Sequence, residues 1–200
     1  VIEEFRKQSI PVVLVNNYLD MDGLVCISAD HYGGAVQATE YLCKLGHCKI
    51  GLLSGRFSPQ VSEARIEGFV KTLAKYDIPV DDRFIADIEP ALEDGEEIMT
   101  RMLREVDRPT AFFCTNDTIA AGAMKAVTRA GLRVPEDIAI IGFDDSYISR
   151  VVEPELTTVR IDAAKMGCLA MQTLFDLMAG MPVEKAHIQM PTELIVRGTG

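Results

Sequence analysis

Long apolar runs and secretion signals are missing from this 200-residue sequence. No stretch approaches the ~18 apolar residues that a membrane-spanning helix needs, and no charged-then-apolar leader ending in small residues is present. Tryptophan is absent and aromatic residues make up only 6%. With 48% apolar residues the chain still has material for a core, in one domain or in two small lobes. The sequence therefore predicts a globular protein without a membrane partner.

Basic residues are outnumbered in this chain. Twenty lysines and arginines stand against 30 acidic residues, which gives a formal net charge of -10 at pH 7. Such a charge repels phosphate backbones and anionic lipids. We expect that this segment does not bind DNA by itself.

Metal and redox motifs are also missing. The cysteines lie apart in apolar runs, without the C-x-x-C spacing of zinc or redox sites. They are Cys26, Cys43, Cys48, Cys114 and Cys168. We expect buried free thiols in a reducing compartment, which indicates a cytoplasmic protein. His31, His47 and His187 have no carboxylate or thiol at ligand spacing, so we interpret them as structural and predict no metal site.

Catalytic signatures are absent as well. The glycines lack the G-x-G-x-x-G and G-x-x-x-x-G-K spacings that cradle phosphate, and the chain has neither a G-x-S-x-G elbow nor an H-E-x-x-H helix. We therefore predict that the protein is not an enzyme and binds no cofactor. An enzyme with the same fold pattern remains an alternative, because a fold alone does not fix function.

Strand-length apolar runs alternate with helical periodicity along most of the chain. Predicted strands occupy residues 12–15, 49–54, 83–88, 110–114, 138–143 and 157–159. Predicted helices place apolar side chains on one face over 35–45, 66–73, 98–106 and 119–127, and a last helix spans 162–180. Repeated βαβ units of this kind predict an α/β fold with parallel sheets.

Polar residues follow the predicted strands. Because parallel strands end at one edge of their sheet, side chains at those ends come together in a crevice. The residues expected there are Asn16, Ser54, Asp87, Ile88, Asn116, Asp117, Asp144 and Asp145. Amides beside carboxylates suit a polyhydroxylated or amide-bearing small molecule. Arg65, at the start of its predicted helix, would add a planar fork of donors, so the pattern predicts a sugar-sized polar pocket.

Each of these side chains also has an ordinary structural interpretation. Asp144 is suited to capping a turn or a following helix, and Asn116 to the N-cap of the next helix. Arg65, taken alone, is more typical of a solvated or salt-bridged surface residue. The hypothesis of a binding site depends on their joint placement.

A set of short motifs runs through nearly the whole chain in a characteristic order and spacing. They are Gly46-His47, Ile50-Gly-Leu-Leu-Ser-Gly55, Arg65-Ile-Glu-Gly-Phe69, Arg108-Pro-Thr-Ala-Phe112, Asn116-Asp117, Val134-Pro-Glu-Asp-Ile138, Gly142-Phe-Asp-Asp145, Pro154-Glu-Leu-Thr-Thr-Val159 and Glu193-Leu-Ile-Val-Arg197. With these motifs the chain resembles the effector-binding domain of lac repressor-type (LacI/GalR) transcription regulators.

The resemblance implies a periplasmic-binding-protein-like type I fold, with two doubly wound parallel-sheet lobes and a small effector between them. Residues 1–29 and 162–191 would form the remainder of an incomplete N-terminal lobe, and residues 30–161 with 192–200 the C-terminal lobe. In such regulators a helix-turn-helix head reads operator DNA as a homodimer, and the effector changes operator affinity. That head is absent from these residues, so we expect an upstream part that is missing here.

The resemblance also implies a set of effector-contacting residues. Asn16 stands where an effector-contacting aspartate is common in the family, with Asn17 beside it. Arg65, Asn116 and Asp144 fall on positions that hydrogen-bond ligand hydroxyls or a ring.

Two further positions depart from the family pattern. Ile88 stands where an aromatic ring sometimes stacks on the ligand, and Ile161 where a glutamine contacts it. These replacements make that wall aliphatic. Since Asn16 also removes a negative charge, we expect a neutral or weakly anionic sugar derivative as effector. A periplasmic or surface sugar-binding protein of a transport system is the alternative function, and the cysteines favour the regulator.

Overall fold

The computed structural model describes residues 2–19, 21, 23–183 and 186–200. The chain divides into two compact units. Unit 1 comprises Val1–Asp30 and Asp162–Pro191, and unit 2 comprises His31–Ile161 and Thr192–Gly200.

Helices and strands alternate along the described residues. The helices are α1 (Ile2–Lys7), α2 (His31–Lys44), α3 (Pro59–Lys75), α4 (Leu92–Met102), α5 (Asp117–Arg129) and α6 (Ala163–Met178). The strands are β1 (Val13–Val15), β2 (Val25–Ala29), β3 (Ile50–Gly55), β4 (Ile85–Ile88), β5 (Ala111–Cys114), β6 (Ala139–Asp144), β7 (Thr157–Arg160), β8 (His187–Met190) and β9 (Glu193–Ile195).

A sheet with the strand order β4-β3-β5-β6-β7-β9 forms the centre of unit 2. Its neighbours pair in parallel except β7 and β9, which are antiparallel. The inner strands are continuous apolar runs because helices cover both faces. Helices α2 and α3 pack on one face around Leu52 and Phe69, and α4 and α5 pack on the other around Leu53 and Phe112. The parallel α/β fold predicted from the sequence is confirmed.

Two glycines allow unusually close helix packing in unit 2. A Cβ atom at Gly34, in the first turn of α2, would lie 2.7 Å from Cζ of Phe143 in β6. A Cβ atom at Gly122 would fall on the carbonyl oxygen of Leu92, where α5 crosses α4. Only a residue without a side chain permits backbone approaches of this kind.

The sheet of unit 1 has the order β1-β2-β8, with all strands parallel. Every residue of the central strand β2 is buried. Helix α6 lies against β1 and β2 and buries Met166 and Ala170. It also exposes Phe175 and Met178, so that α6 is apolar on more than one face.

Some elements differ from the sequence-based prediction. No strand was predicted over residues 24–30, but Val25–Ala29 form strand β2. Strands β8 and β9 were not predicted, although β8 alternates polar and apolar residues over its four positions. Val106 was predicted on the core face of a helix, yet α4 ends at Met102 and Val106 is fully exposed. Leu45 is half exposed, because α2 has already ended and Gly46 takes a positive φ of 91°.

The cysteines only partly follow the prediction. Cys26, Cys43 and Cys114 are buried, whereas Cys48 and Cys168 are exposed, and the structure pairs none of these five thiols. Among the described residues, no group of three or more His, Cys, Asp or Glu side chains is placed to hold a metal ion. Over the same ranges no helix combines the length and the apolarity that crossing a bilayer requires.

Candidate functional site

The five parallel strands of unit 2 end at one side of its sheet, which we call the carboxyl edge. The residues at or directly after these ends are Gly55, Ile88, Thr115, Asp144 and Ile161. The strand register places Gly55 beside Ile88, and Asp144 beside the last residue of β7. Side chains from distant parts of the chain therefore meet at this edge.

Arg65 reaches the carboxyl edge from the middle of α3 and is only 2% exposed. Its Nη1 donates to the carbonyl oxygen of Thr115. Its Nη2 donates to Oδ1 of Asp144 over 3.4 Å, and Nε and Nη2 donate to Nδ1 of His31 over 3.4 and 3.2 Å. The predicted position at the start of a helix and the interpretation as a surface residue are both wrong.

The guanidinium of Arg65 is also held between two aromatic rings. Its central carbon lies 3.8 Å from the ring centre of Phe143 and 5.1 Å from that of Phe57. Burial lowers the pKa of Arg65 to about 10, and the nearby Asp144 opposes that shift. Arg65 therefore remains a cation at neutral pH and lies close to both aromatic rings.

Asp144 is the last residue of β6 and presents its carboxylate to Arg65. The backbone there has a positive φ of 110°, which is costly for a residue with a side chain and turns the carboxylate out of the sheet. Burial raises the pKa of Asp144 to about 6, with Arg65 acting in the opposite direction and Asp117 adding to the rise. Within the described residues its carboxylate bonds only to Arg65, so it does not cap a turn or helix there. About a third of the side chain (37%) is exposed, so the group can accept a further hydrogen bond.

Asn116 has the structural role that the sequence left open. It is the N-cap of α5, and its Oδ1 accepts a hydrogen bond from the Ile119 amide over 2.8 Å. Within the described residues its Nδ2 group donates to no acceptor. Asn116 directly follows Thr115, whose carbonyl oxygen accepts a hydrogen bond from Arg65.

Two isoleucines supply apolar surface at the carboxyl edge. Ile88 ends β4 and Ile161 follows β7, and both are half-buried against the core. A cavity of about 260 Å³ beside Ile88 is also lined by Arg56, whose guanidinium binds Asp87 over 3.0 Å and Glu89 over 3.1 Å. The surface beside Ile88 is therefore aliphatic with a paired polar rim, whereas Ile161 lies four strands away along the sheet.

Other predicted residues of the edge lie elsewhere. Asn16 and Asn17 belong to unit 1, where they follow β1 and are exposed. Asn16 has a positive φ of 52°, and the Oδ1 of Asn17 accepts from the Tyr18 amide. Ser54 is 1% exposed, and its hydroxyl has no partner among the described residues, so it does not line the edge as predicted. Unit 2 thus brings Arg65 and Asp144 together.

His31 is a residue that sequence reasoning missed at this site. It is the first residue of α2 and is 5% exposed. Burial, together with the charge of Arg65, lowers the pKa of His31 to about 3, so the ring is neutral at physiological pH. No local pattern could have linked His31 to Arg65, because the two residues are far apart in sequence and on different helices.

Asp117 is a buried structural carboxylate beneath the edge. It is 1% exposed and accepts a hydrogen bond from Thr158 Oγ1 over 2.5 Å and one from the Ser146 amide over 2.7 Å. Burial raises its pKa, while these hydrogen bonds oppose the rise. The sequence placed Asp117 on the edge, whereas the structure uses it to join α5 to β7.

Asp145 is likewise structural, although it directly follows Asp144. Its carboxylate is only 2% exposed and is bound by Arg197, by Arg160 over 2.8 Å and by Arg150 over 3.3 Å. Burial acts to raise its pKa, but the arginine donors outweigh burial and hold the pKa at about 2. Asp145 therefore anchors β7 and the segment after β9 to the end of β6.

The chain is similar to a known domain family and to curated proteins. The family model that matches residues 39–199 is described as a periplasmic binding protein-like domain. The HTH-type transcriptional repressor PurR of Pasteurella multocida (strain Pm70) is 36% identical over 191 residues, which is 94% of this chain and 57% of the relative. The chain thus spans little more than half the length of this curated relative.

Solved structures resemble the chain over almost its whole length. A regulatory protein of the LacI family from Chloroflexus aggregans has a TM-score of 0.91 and 31% identity, covering 99% of this chain and 71% of that chain. A LacI family transcriptional regulator from Enterococcus faecium with bound ribose has a TM-score of 0.90 and 27% identity, covering 98% and 73%.

Proposed function

We propose that this chain senses a small polar metabolite for a DNA-binding protein, because it belongs to the LacI family of transcriptional regulators and matches their periplasmic binding protein-like, effector-binding domain. The observation that carries the proposal is the Arg65–Asp144 pair, fixed at the carboxyl edge of unit 2. A buried cation beside a partly open carboxylate supplies donor and acceptor groups whose positions are set before a ligand arrives.

The pair suits a ligand with hydroxyl groups. Asp144 accepts hydrogen bonds from hydroxyls, and the Nδ2 group of Asn116 donates to an oxygen. Asn16 and Asn17 of unit 1 remain proposed effector contacts. The ion pair between Arg65 and Asp144 is neutral overall, so no strong charge is demanded of the ligand.

The apolar residues of the carboxyl edge narrow the chemical class of the ligand. Ile88 and Ile161 offer aliphatic surface to the C–H groups of a sugar ring rather than stacking with an aromatic base. The relative with bound ribose supports a sugar or sugar derivative. We therefore propose a neutral or weakly anionic sugar derivative as effector.

The test is binding of a sugar panel that includes ribose, measured by thermal shift and then by titration calorimetry. Asp144→Ala should weaken binding by about 1–3 kcal/mol, because it leaves polar groups of the bound ligand and one N–H group of Arg65 without an acceptor. Asp82→Ala is the matched control, since Asp82 is exposed and precedes β4 at the opposite edge of the sheet. Equal affinity for Asp144→Ala and Asp82→Ala would remove Asp144 from the site.

The activity of the whole regulator is a separate part of the proposal. We propose that unit 1 and unit 2 are parts of the two lobes of the family fold, and that the intact protein is a homodimer. It would bind operator DNA through a helix-turn-helix head of the kind found in the family. Effector binding and operator binding must then change each other's affinity by the same factor. Operator titrations with and without the sugar test this coupling, and equal affinities would contradict it.

The repressor relatives favour a regulator over the binding protein of a transport system. We place the regulator in the cytoplasm, where free thiols such as the exposed Cys48 and Cys168 persist in reduced form. We propose no catalytic step for it.

A further inference from the structure

We propose that His31 is a positioning residue of the carboxyl edge: its neutral ring holds Arg65 in the orientation that reaches Asp144. The inference rests on the proposed function, because it assigns His31 a part in shaping the effector site.

The hydrogen bonds of Arg65 give His31 this role. Five N–H groups of a buried guanidinium need acceptors. Thr115 takes one and Asp144 takes another, while His31 Nδ1 lies 3.4 Å from Nε and 3.2 Å from Nη2. Nη2 is thus shared between the ring of His31 and the carboxylate of Asp144, so the position of one partner constrains the other.

The helix that carries His31 is held close to this site. His31 is the first residue of α2, and the ring of His31 lies 6.1 Å from that of Phe143. Gly34, one turn later, lets α2 approach the same ring so closely that a Cβ atom would lie 2.7 Å away. The ring of Phe143 also stacks on Arg65. The Phe143 ring therefore lies against both the first turn of α2, which carries the acceptor His31, and the guanidinium of the donor Arg65.

The neutrality of His31 matters as much as its position. A carboxylate at residue 31 would neutralise Arg65 and reduce its attraction for Asp144. The groups that face Arg65 are His31 from α2, Asp144 from β6 and, more distantly, Asp117 from α5. Because His31 accepts without carrying charge, the positive charge of Arg65 remains directed at Asp144 and at a ligand oxygen bound there.

Two substitutions separate an acceptor role from a packing role. His31→Asn places Oδ1 where Nδ1 was, so it keeps the acceptor while reducing the volume. His31→Leu keeps roughly the volume but removes the acceptor. The readout is the titration midpoint of Asp144, followed by NMR in protein labelled at aspartate carboxyl carbons, with Asp144→Asn used to assign the signal.

The expected result is a midpoint close to that of the wild type in His31→Asn. In His31→Leu we expect a rise of about 0.5 pH unit or more, because Arg65 is no longer held against Asp144. With ribose or another sugar that binds the wild type, His31→Leu should also lose affinity by about fivefold or more, and His31→Asn should retain it.

A midpoint in His31→Leu that stays or falls, or a shift in His31→Asn as large as that in His31→Leu, would overturn the proposal. A packing role predicts the opposite order of the two variants. If no sugar binds the wild type, the proposed function fails, but the titration in the absence of ligand still decides the role of His31.

Discussion

Replacing His31 with asparagine should change how stability depends on pH. Histidine ordinarily titrates at 6.5, whereas burial and the charge of Arg65 lower the pKa of His31 to about 3 in the folded protein. Between these values the unfolded chain binds a proton at His31 that the folded protein does not bind. The wild type therefore loses stability as the pH falls through 6.5, and an asparagine does not titrate.

The magnitude follows from the two pKa values. At pH 5, about 1.5 units below the ordinary value, each unit is worth about 1.4 kcal/mol. His31 should thus cost the wild type about 2 kcal/mol at pH 5 relative to pH 7. Asp144 acts in the opposite sense, because a raised carboxyl pKa makes stability fall as the pH rises from about 4 to about 6. That contribution is present in both proteins and cancels in their difference.

Urea unfolding at pH 5, 6, 7 and 8 measures this difference. We expect the difference in free energy of unfolding, His31→Asn minus wild type, to be about 2 kcal/mol larger at pH 5 than at pH 7. Parallel pH profiles for the two proteins would show that His31 is not a buried neutral base in the folded state, and the argument for its acceptor role would lose its basis.

Three further predictions concern other parts of unit 2. Gly122→Ala should lower the free energy of unfolding by about 1–3 kcal/mol, since the new methyl group meets the Leu92 carbonyl; unchanged urea unfolding would contradict the close packing of α4 and α5. Asp145→Ala should cost about 3–5 kcal/mol because Arg197 loses its buried partner, and a loss below 1 kcal/mol in thermal or urea unfolding would show that the anchor is unimportant. Sugar binding that needs ionised Asp144 should weaken as the pH falls below about 6, and calorimetry should find this pH dependence absent in Asp144→Asn.

The sequence was sufficient for the α/β architecture because the strands of unit 2 are buried on both faces. A run such as that of β5 is apolar without interruption, and the helices between strands repeat their apolar residues with a clear period. Strands β8 and β9 include polar residues and so lack such an uninterrupted apolar run, and they were not predicted. Strand β2 was also missed, although its residues form a continuous buried run.

The candidate site was predictable only in part. Parallel topology was enough to predict that Asp144 lies at a shared edge. The burial of Arg65 and its bonds to His31 depend on how α2 and α3 pack, which no local pattern contains. The different roles of Asp144 and Asp145 also escape the sequence, since two identical neighbours are distinguished by backbone torsions of 110° and 50° and by the arginines around the second.

The two aspartates at the end of β6 set a limit for anyone who wishes to redesign this protein for a new ligand. Ile88 and Ile161 are open to substitution, because their neighbours are apolar and tolerate repacking. Position 145 is not, although it adjoins a residue facing the edge, because its carboxylate links the end of β6 to β7 and to the segment after β9. A library that randomises both aspartates together would lose this buried link in most variants, whereas one that leaves Asp145 unchanged keeps it while the recognition surface is varied.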